Sequence, residues 1–136
     1  MCGEDVLTGQ NFDHRKGWVV GKIAELGGAF CIDVCAYAVM SNHVHLVLRT
    51  NQELVEAMSD DEVLGRYKLL FPQSVSRLGT LPKRAAAQRV EMFRARLTDL
   101  SWFMRCLNEF IARRANKEDD CRGRFWEGRF RCQALL

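Results

Sequence analysis

The chain has 136 residues, 48% of them apolar, and a formal charge of +3. That is one domain's worth of length with an ordinary supply of core side chains, which excludes fibrous and disordered classes. No apolar run approaches the length of a membrane-spanning helix; the longest near the middle is Val34 to Met40.

A first helix is expected from about Asp13, a good N-cap, to Leu26, with Val19, Ile23 and Leu26 as its apolar face and Gly27-Gly28 as its stop. Phe30 to Met40, rich in β-branched and aromatic residues, reads as a strand. Ser41-Asn42 turns the chain and His43 to Thr50 returns as a second strand, so the segment is a β-hairpin. A tight, even-numbered loop sets Met40 opposite His43, Ala38 opposite His45 and Ala36 opposite Val47. Residues i and i+2 of a strand share a face, so the two imidazoles project side by side over two alanines. The other face carries Cys31, Cys35, Tyr37, Val39, Val44, Leu46 and Leu48 and is the expected core face.

Further on, Ser59-Asp60-Asp61-Glu62 has the form of a capping box opening a short helix through Val63, Leu64, Tyr67 and Leu70, which Pro72 stops. The stripe places Tyr67 in the core. Residues 73 to 82 read as an irregular connector. From Lys83 to about Asn116 the pattern is helical, with a break near Thr98-Asp99 and a stripe of Leu97, Leu100, Met104, Leu107 and Ile111. The tail from Cys121 to Cys132 alternates arginine, glycine and aromatic residues and reads as an extended segment.

The charge is unevenly placed. Up to Pro82 there are 7 Lys and Arg against 10 Asp and Glu; from Lys83 onward there are 13 against 7. A basic C-terminal half suits a phosphate backbone. Arg122, Arg124, Arg129 and Arg131 are forks that pair phosphates, and Trp126, between Phe125 and Phe130, is an aromatic that stacks an unpaired base. Arg94, Arg105, Arg113, Arg114 and Lys117 widen that basic surface. Glu4, Asp5 and Asp13 stand where a secretion signal needs apolar residues. The six cysteines (2, 31, 35, 106, 121 and 132) lack the spacing of a disulfide framework. A cytoplasmic chain with reduced thiols and no membrane partner is expected. Cys31 and Cys35 fall on the face opposite His43 and His45, which argues against a zinc site made of the four. His14 is expected at the surface.

The segment Ala36-Tyr37-Ala38-Val39-Met40-Ser41-Asn42-His43-Val44-His45 resembles the HUH motif of the small single-tyrosine transposases, particularly the REP-associated tyrosine transposases. Ser101 to Asn108, Ala115 to Glu118 and Gly123 to Phe130 resemble the C-terminal region of the same family, in the same order. The resemblance implies a ferredoxin-like α+β domain, a single one over residues 1 to 136, acting on single-stranded DNA hairpins in DNA transposition. It implies that His43 and His45 hold Mg²⁺ or Mn²⁺ to polarise the scissile phosphate while a helix-borne tyrosine attacks. Two imidazoles suit Mn²⁺ better than Mg²⁺, which prefers oxygen. Asn42 of the motif joins Arg122, Arg124, Trp126, Arg129 and Arg131 in the expected DNA-contacting set.

Relatives carry a strand before the point where this chain starts and a tyrosine-bearing helix after the Gly-Arg-Phe segment. Here the only tyrosines are Tyr37 and Tyr67. The expectation is therefore an incomplete family member, active with a second chain that completes it or, alternatively, a non-catalytic nucleic-acid-binding remnant. A homodimer is one form such an association takes.

Overall fold

The computed structural model describes residues 14–40, 43–118, 132, 133 and 135. It is an α+β fold. Among the described residues six α-helices accompany one two-stranded antiparallel sheet, in the order α1 (His14–Ala29), β1 (Ile32–Val39), β2 (Val44–Thr50), α2 (Gln52–Ala57), α3 (Asp60–Leu70), α4 (Pro72–Ser76), a 3₁₀ turn (Arg77–Thr80), α5 (Lys83–Arg96) and α6 (Leu100–Glu118). None of these helices is long and apolar enough to cross a membrane.

Two cores form. In the first, Val19, Ile23 and Leu26 of α1 meet Phe103, Leu107 and Ile111 of α6, with Phe30 and Ile32 between them. The sheet lays Val34, Val39, Val44, Leu46 and Leu48 against this cluster, so α1 and α6 cover one face of the hairpin. In the second, Val55, Met58, Val63, Tyr67, Val90, Phe93 and Leu97 join α2, α3 and α5 around Cys31. The segment Phe30-Cys31 stitches the two together: the Cys31 amide donates to Leu97 O at 2.8 Å and the Asn51 amide donates to Cys31 O at 2.8 Å.

Several expectations need correcting. The first helix does not stop at Leu26 but runs three residues further. Arg66 of α3 reaches back to it, donating from Nη1 to the carbonyls of Gly28 at 3.3 Å, Ala29 at 3.5 Å and Phe30 at 3.2 Å. Those carbonyls have no partner inside the helix, and a cation at a helix C-terminus also suits its dipole. Residues 73 to 82 are not irregular. Pro72, instead of only ending a helix, takes the first position of α4, where a missing N–H costs nothing, and the 3₁₀ turn follows. Helix α2 was not foreseen, although its cap is local: Asn51 Oδ1 accepts from the Leu54 amide at 3.1 Å. The stripe on α6 is centred one residue away from the expected one, on Phe103, Leu107, Ile111 and Ala115, with Leu100 and Met104 half-buried.

Other caps follow the sequence. Ser59 Oγ accepts from the Glu62 amide at 3.2 Å to start α3. Asp99 Oδ1 accepts from the Ser101 amide at 2.8 Å and starts α6 at the expected break.

Candidate metal and nucleic-acid site

The hairpin decides what its two faces offer. Cα partners across it are Ala38 with His45, Tyr37 with Leu46 and Ala36 with Val47, and the Met40 amide donates to His43 O at 2.8 Å, joining the two residues that flank positions 41–42. This is the expected register. It fails at Cys35. A bulge between Val34 and Ala36 leaves Cys35 unpaired and sets Val34 opposite Leu48 and Asp33 opposite Arg49. One extra residue inverts the alternation before it. Val34 therefore turns into the core, while Cys35, expected on the core face, is exposed.

On the face that no described helix covers stand His43, just before β2, then His45, Val47 and Arg49 of β2, with Ala38, Ala36 and Asp33 of β1. The two imidazole rings stand 4.8 Å apart between centroids and nearly perpendicular, at 88°. Both residues are exposed, and the methyl of Ala38 across from His45 leaves the space above the sheet open. Neutral imidazole is a common ligand for borderline divalent ions, and a pair fixed on one strand loses little freedom on chelation. Asp33 shares this face only because of the bulge. Its carboxylate is held by Arg49, at 2.7 Å from Nη2 and 3.0 Å from Nε, and this bond raises the Arg49 guanidinium above its ordinary value. Arg49 lies four residues beyond His45, roughly 13 Å along a strand, so the acid is outside coordination reach of the pair. Among the described residues no group of three His, Cys, Asp or Glu side chains converges as a metal site.

Neither tyrosine faces the histidines. Tyr67 is 1% exposed in the second core. Its ring lies on Phe93 with centroids 3.9 Å apart and planes 11° from parallel, and its hydroxyl accepts from Arg96 Nη1 at 2.9 Å. Tyr37 pairs with Leu46 on the face opposite His45. The sheet has no strand beyond β1 among the described residues, so Tyr37 is 51% exposed rather than buried with its neighbours.

Cys31 is buried, donating to Met58 Sδ at 3.5 Å, in the core that the sheet does not line. It shares no site with the histidines. His14 is at the surface as expected, 2.6 Å from Glu118. Asn42, Arg122, Arg124, Trp126, Arg129 and Arg131 lie outside the described residues. Of the helical cations, Arg94 is not a surface group: it donates to the carbonyls of Val55 and Met58 at 2.8 and 2.7 Å. Arg105 and Arg113 both pair with Glu109, at 3.1 and 3.7 Å. Reading the sequence missed Lys22 and Trp18 of α1, which stand beside Arg114 and Phe110 of α6; elements so far apart in the chain carry no local signal of that meeting.

Compared with family models, with characterised proteins and with solved structures, the chain matches none.

Proposed function

We propose that this chain is a nucleic-acid-binding domain of the HUH transposase type, built on a ferredoxin-like plan, whose His43 and His45 hold Mn²⁺ or Mg²⁺ against the backbone of a single-stranded or hairpin DNA. The observation that carries the reading is the His pair itself: two exposed imidazoles at 4.8 Å on the hairpin face that no described helix covers, the other face packing on α1 and α6. A metal held by two imidazoles keeps positions open for water and phosphate oxygens, and a divalent ion there acts as a Lewis acid on a phosphodiester. The excess of Lys and Arg from Lys83 onward, 13 against 7 Asp and Glu, supports the same partner, since phosphate contacts dominate such binding.

A second reading is favoured by the tyrosines. Strand transfer of this type needs a tyrosine hydroxyl at the scissile phosphate, but Tyr67 is locked in the core and Tyr37 points away from the histidines. On that ground the chain binds DNA and metal without cutting by itself, as a non-catalytic member or as one that works with a chain supplying the nucleophile.

Titration calorimetry with Mn²⁺ tests the site. The wild-type chain is expected to bind the ion, and the double substitution His43→Ala, His45→Ala to abolish binding. Unchanged metal affinity in the double variant would remove the proposal. Intact-mass analysis after incubation with a hairpin oligonucleotide and Mn²⁺ separates the two readings, a covalent protein–DNA adduct being the mark of the catalytic one.

A further inference from the structure

Along the seam between α1 and α6, rings and cations alternate. The Arg114 guanidinium carbon lies 4.5 Å from the centre of the Trp18 ring and 5.8 Å from that of Phe110, and Lys22 Nζ lies 4.8 Å from Phe110. Beside Phe110 the helices open into a groove of about 600 Å³. Leu69, Leu70 and Phe71, at the corner of α3 and α4, give it an apolar wall; Arg113, Arg114 and Lys117 edge it with charge. Leu69, part of that apolar wall, is 68% exposed.

The carboxylates nearby answer only part of this charge. Glu25 pairs with Lys22 at 3.3 Å and Glu109 with Arg113 at 3.7 Å. Among the described residues no carboxylate pairs with Arg114 or Lys117. A cation resting on a ring is presented in one place, and a ring beside cations offers an apolar surface next to fixed positive charge. A phosphate joined to a planar base has the complementary pattern, whereas an acidic peptide matches the charge but has no planar group at each anion.

We infer that the α1–α6 groove binds single-stranded nucleic acid, with phosphates on Arg113, Arg114 and Lys117 and a base against Phe110 and Leu69. The groove volume falls within the range of small-ligand sites, enough for one or two nucleotide units. This surface is separate from the His pair: α1 and α6 cover the face of the hairpin that His45 turns away from. It goes beyond the metal-site reading and stands on different residues.

Fluorescence polarisation of the full chain with a labelled oligothymidine of about 15 nucleotides, across a salt series, is the test. Replacing Arg114→Gln with Lys117→Gln is expected to weaken binding about tenfold or more near 0.1 M salt and to flatten the log–log salt slope by about 1.4, or ~0.7 per cation on a single strand. The charge-preserving pair Arg114→Lys, Lys117→Arg is expected to keep most of the affinity, and an unchanged thermal melt of both variants separates lost contacts from lost folding. Unchanged affinity and slope in the glutamine variant, or no strand binding by the wild-type chain, would overturn the inference. Two competitors also overturn it: thymidine monophosphate displacing the strand at equal nucleotide concentration assigns the groove to free nucleotides, and an oligoglutamate doing so assigns it to an acidic protein partner. Mn²⁺ affinity of the glutamine variant is expected to stay at the wild-type level, so failure here and failure of the His site are read separately.

Discussion

Gly27 of α1 faces Val34 of β1 so closely that a Cβ placed on Gly27 meets Val34 Cγ2 at 3.3 Å. The same placement on Gly21, in the same helix, meets nothing within 4 Å. A glycine inside a helix ordinarily costs 0.5–1 kcal/mol against alanine, so Gly21→Ala is expected to stabilise the chain by roughly that amount. At Gly27 the same gain is opposed by the contact. Val34 is β-branched with a stiff χ1, is paired to Leu48 across the bulge and packs on the first core. It would have to give by a few tenths of an ångström, and Gly27→Ala is expected to destabilise by about 1 kcal/mol. Urea denaturation of the two variants side by side checks this; equal stabilisation by both would show that the helix–sheet gap is looser than the structure has it.

This contact also shows what a sequence reveals and what it hides. A Gly-Gly pair after an amphipathic stretch signals a helix stop by local rules, yet here Gly27 lies within the helix and lets β1 approach, and the helix end is held by Arg66, 38 residues from Gly28. Signals settled by near neighbours were legible: the Ser59 cap, the break at Asp99, and the pairing of Ala38 with His45. The bulge at Cys35 was not, because nothing in the alternation of Ile32 to Val39 marks where an extra residue enters. The His pair was legible for the same reason that the hairpin was, since two residues and one turn define it. The groove was not, because Lys22 and Arg114 become neighbours only when α1 packs on α6.

Burial pushes the Cys31 thiol above its ordinary value of 9.0, with Asp33 adding to the rise and Arg66 opposing it. Burial likewise raises Cys106, against the pull of Lys22. For a thiol the raised native value means that folding favours the neutral form. That stability is complete below the unfolded value, about pH 8.5–9, and is lost as pH rises through the raised native values. Thermal midpoints are therefore expected to fall as pH rises above about 8.5–9. Cys31→Ala is expected to be less stable at neutral pH because it leaves a cavity beside Met58, but to show a shallower fall in that alkaline window. A variant whose midpoint drops as steeply as the wild type would assign the pH dependence to other groups.

Arg94 has one side chain bound at four places. Nη1 donates to Val55 O at 2.8 Å and Met58 O at 2.7 Å, Nη2 to Asp60 Oδ1 at 2.7 Å, and Nε to Glu91 Oε1 at 3.4 Å. Both carboxylates are well exposed and contribute little through screened charge. The carbonyls matter more, because they lie at the end of α2, where Val55 O has only the Met58 amide at 3.4 Å as a further donor, and the Arg94 side chain is only 17% exposed. Removing the guanidinium takes the charged donor from Met58 O and leaves Val55 O with the Met58 amide alone, so Arg94→Ala is expected to cost about 1–3 kcal/mol in denaturant unfolding. Lysine is a compact point charge without the fork, and Arg94→Lys is expected to recover less than half of that. Neither substitution is expected to change the salt slope of oligothymidine binding, in contrast to the glutamine variant at Arg114 and Lys117. An alanine variant that keeps its stability but flattens the salt slope by about 0.7 would return Arg94 to the nucleic-acid surface and remove it from the frame that holds α2 against α5.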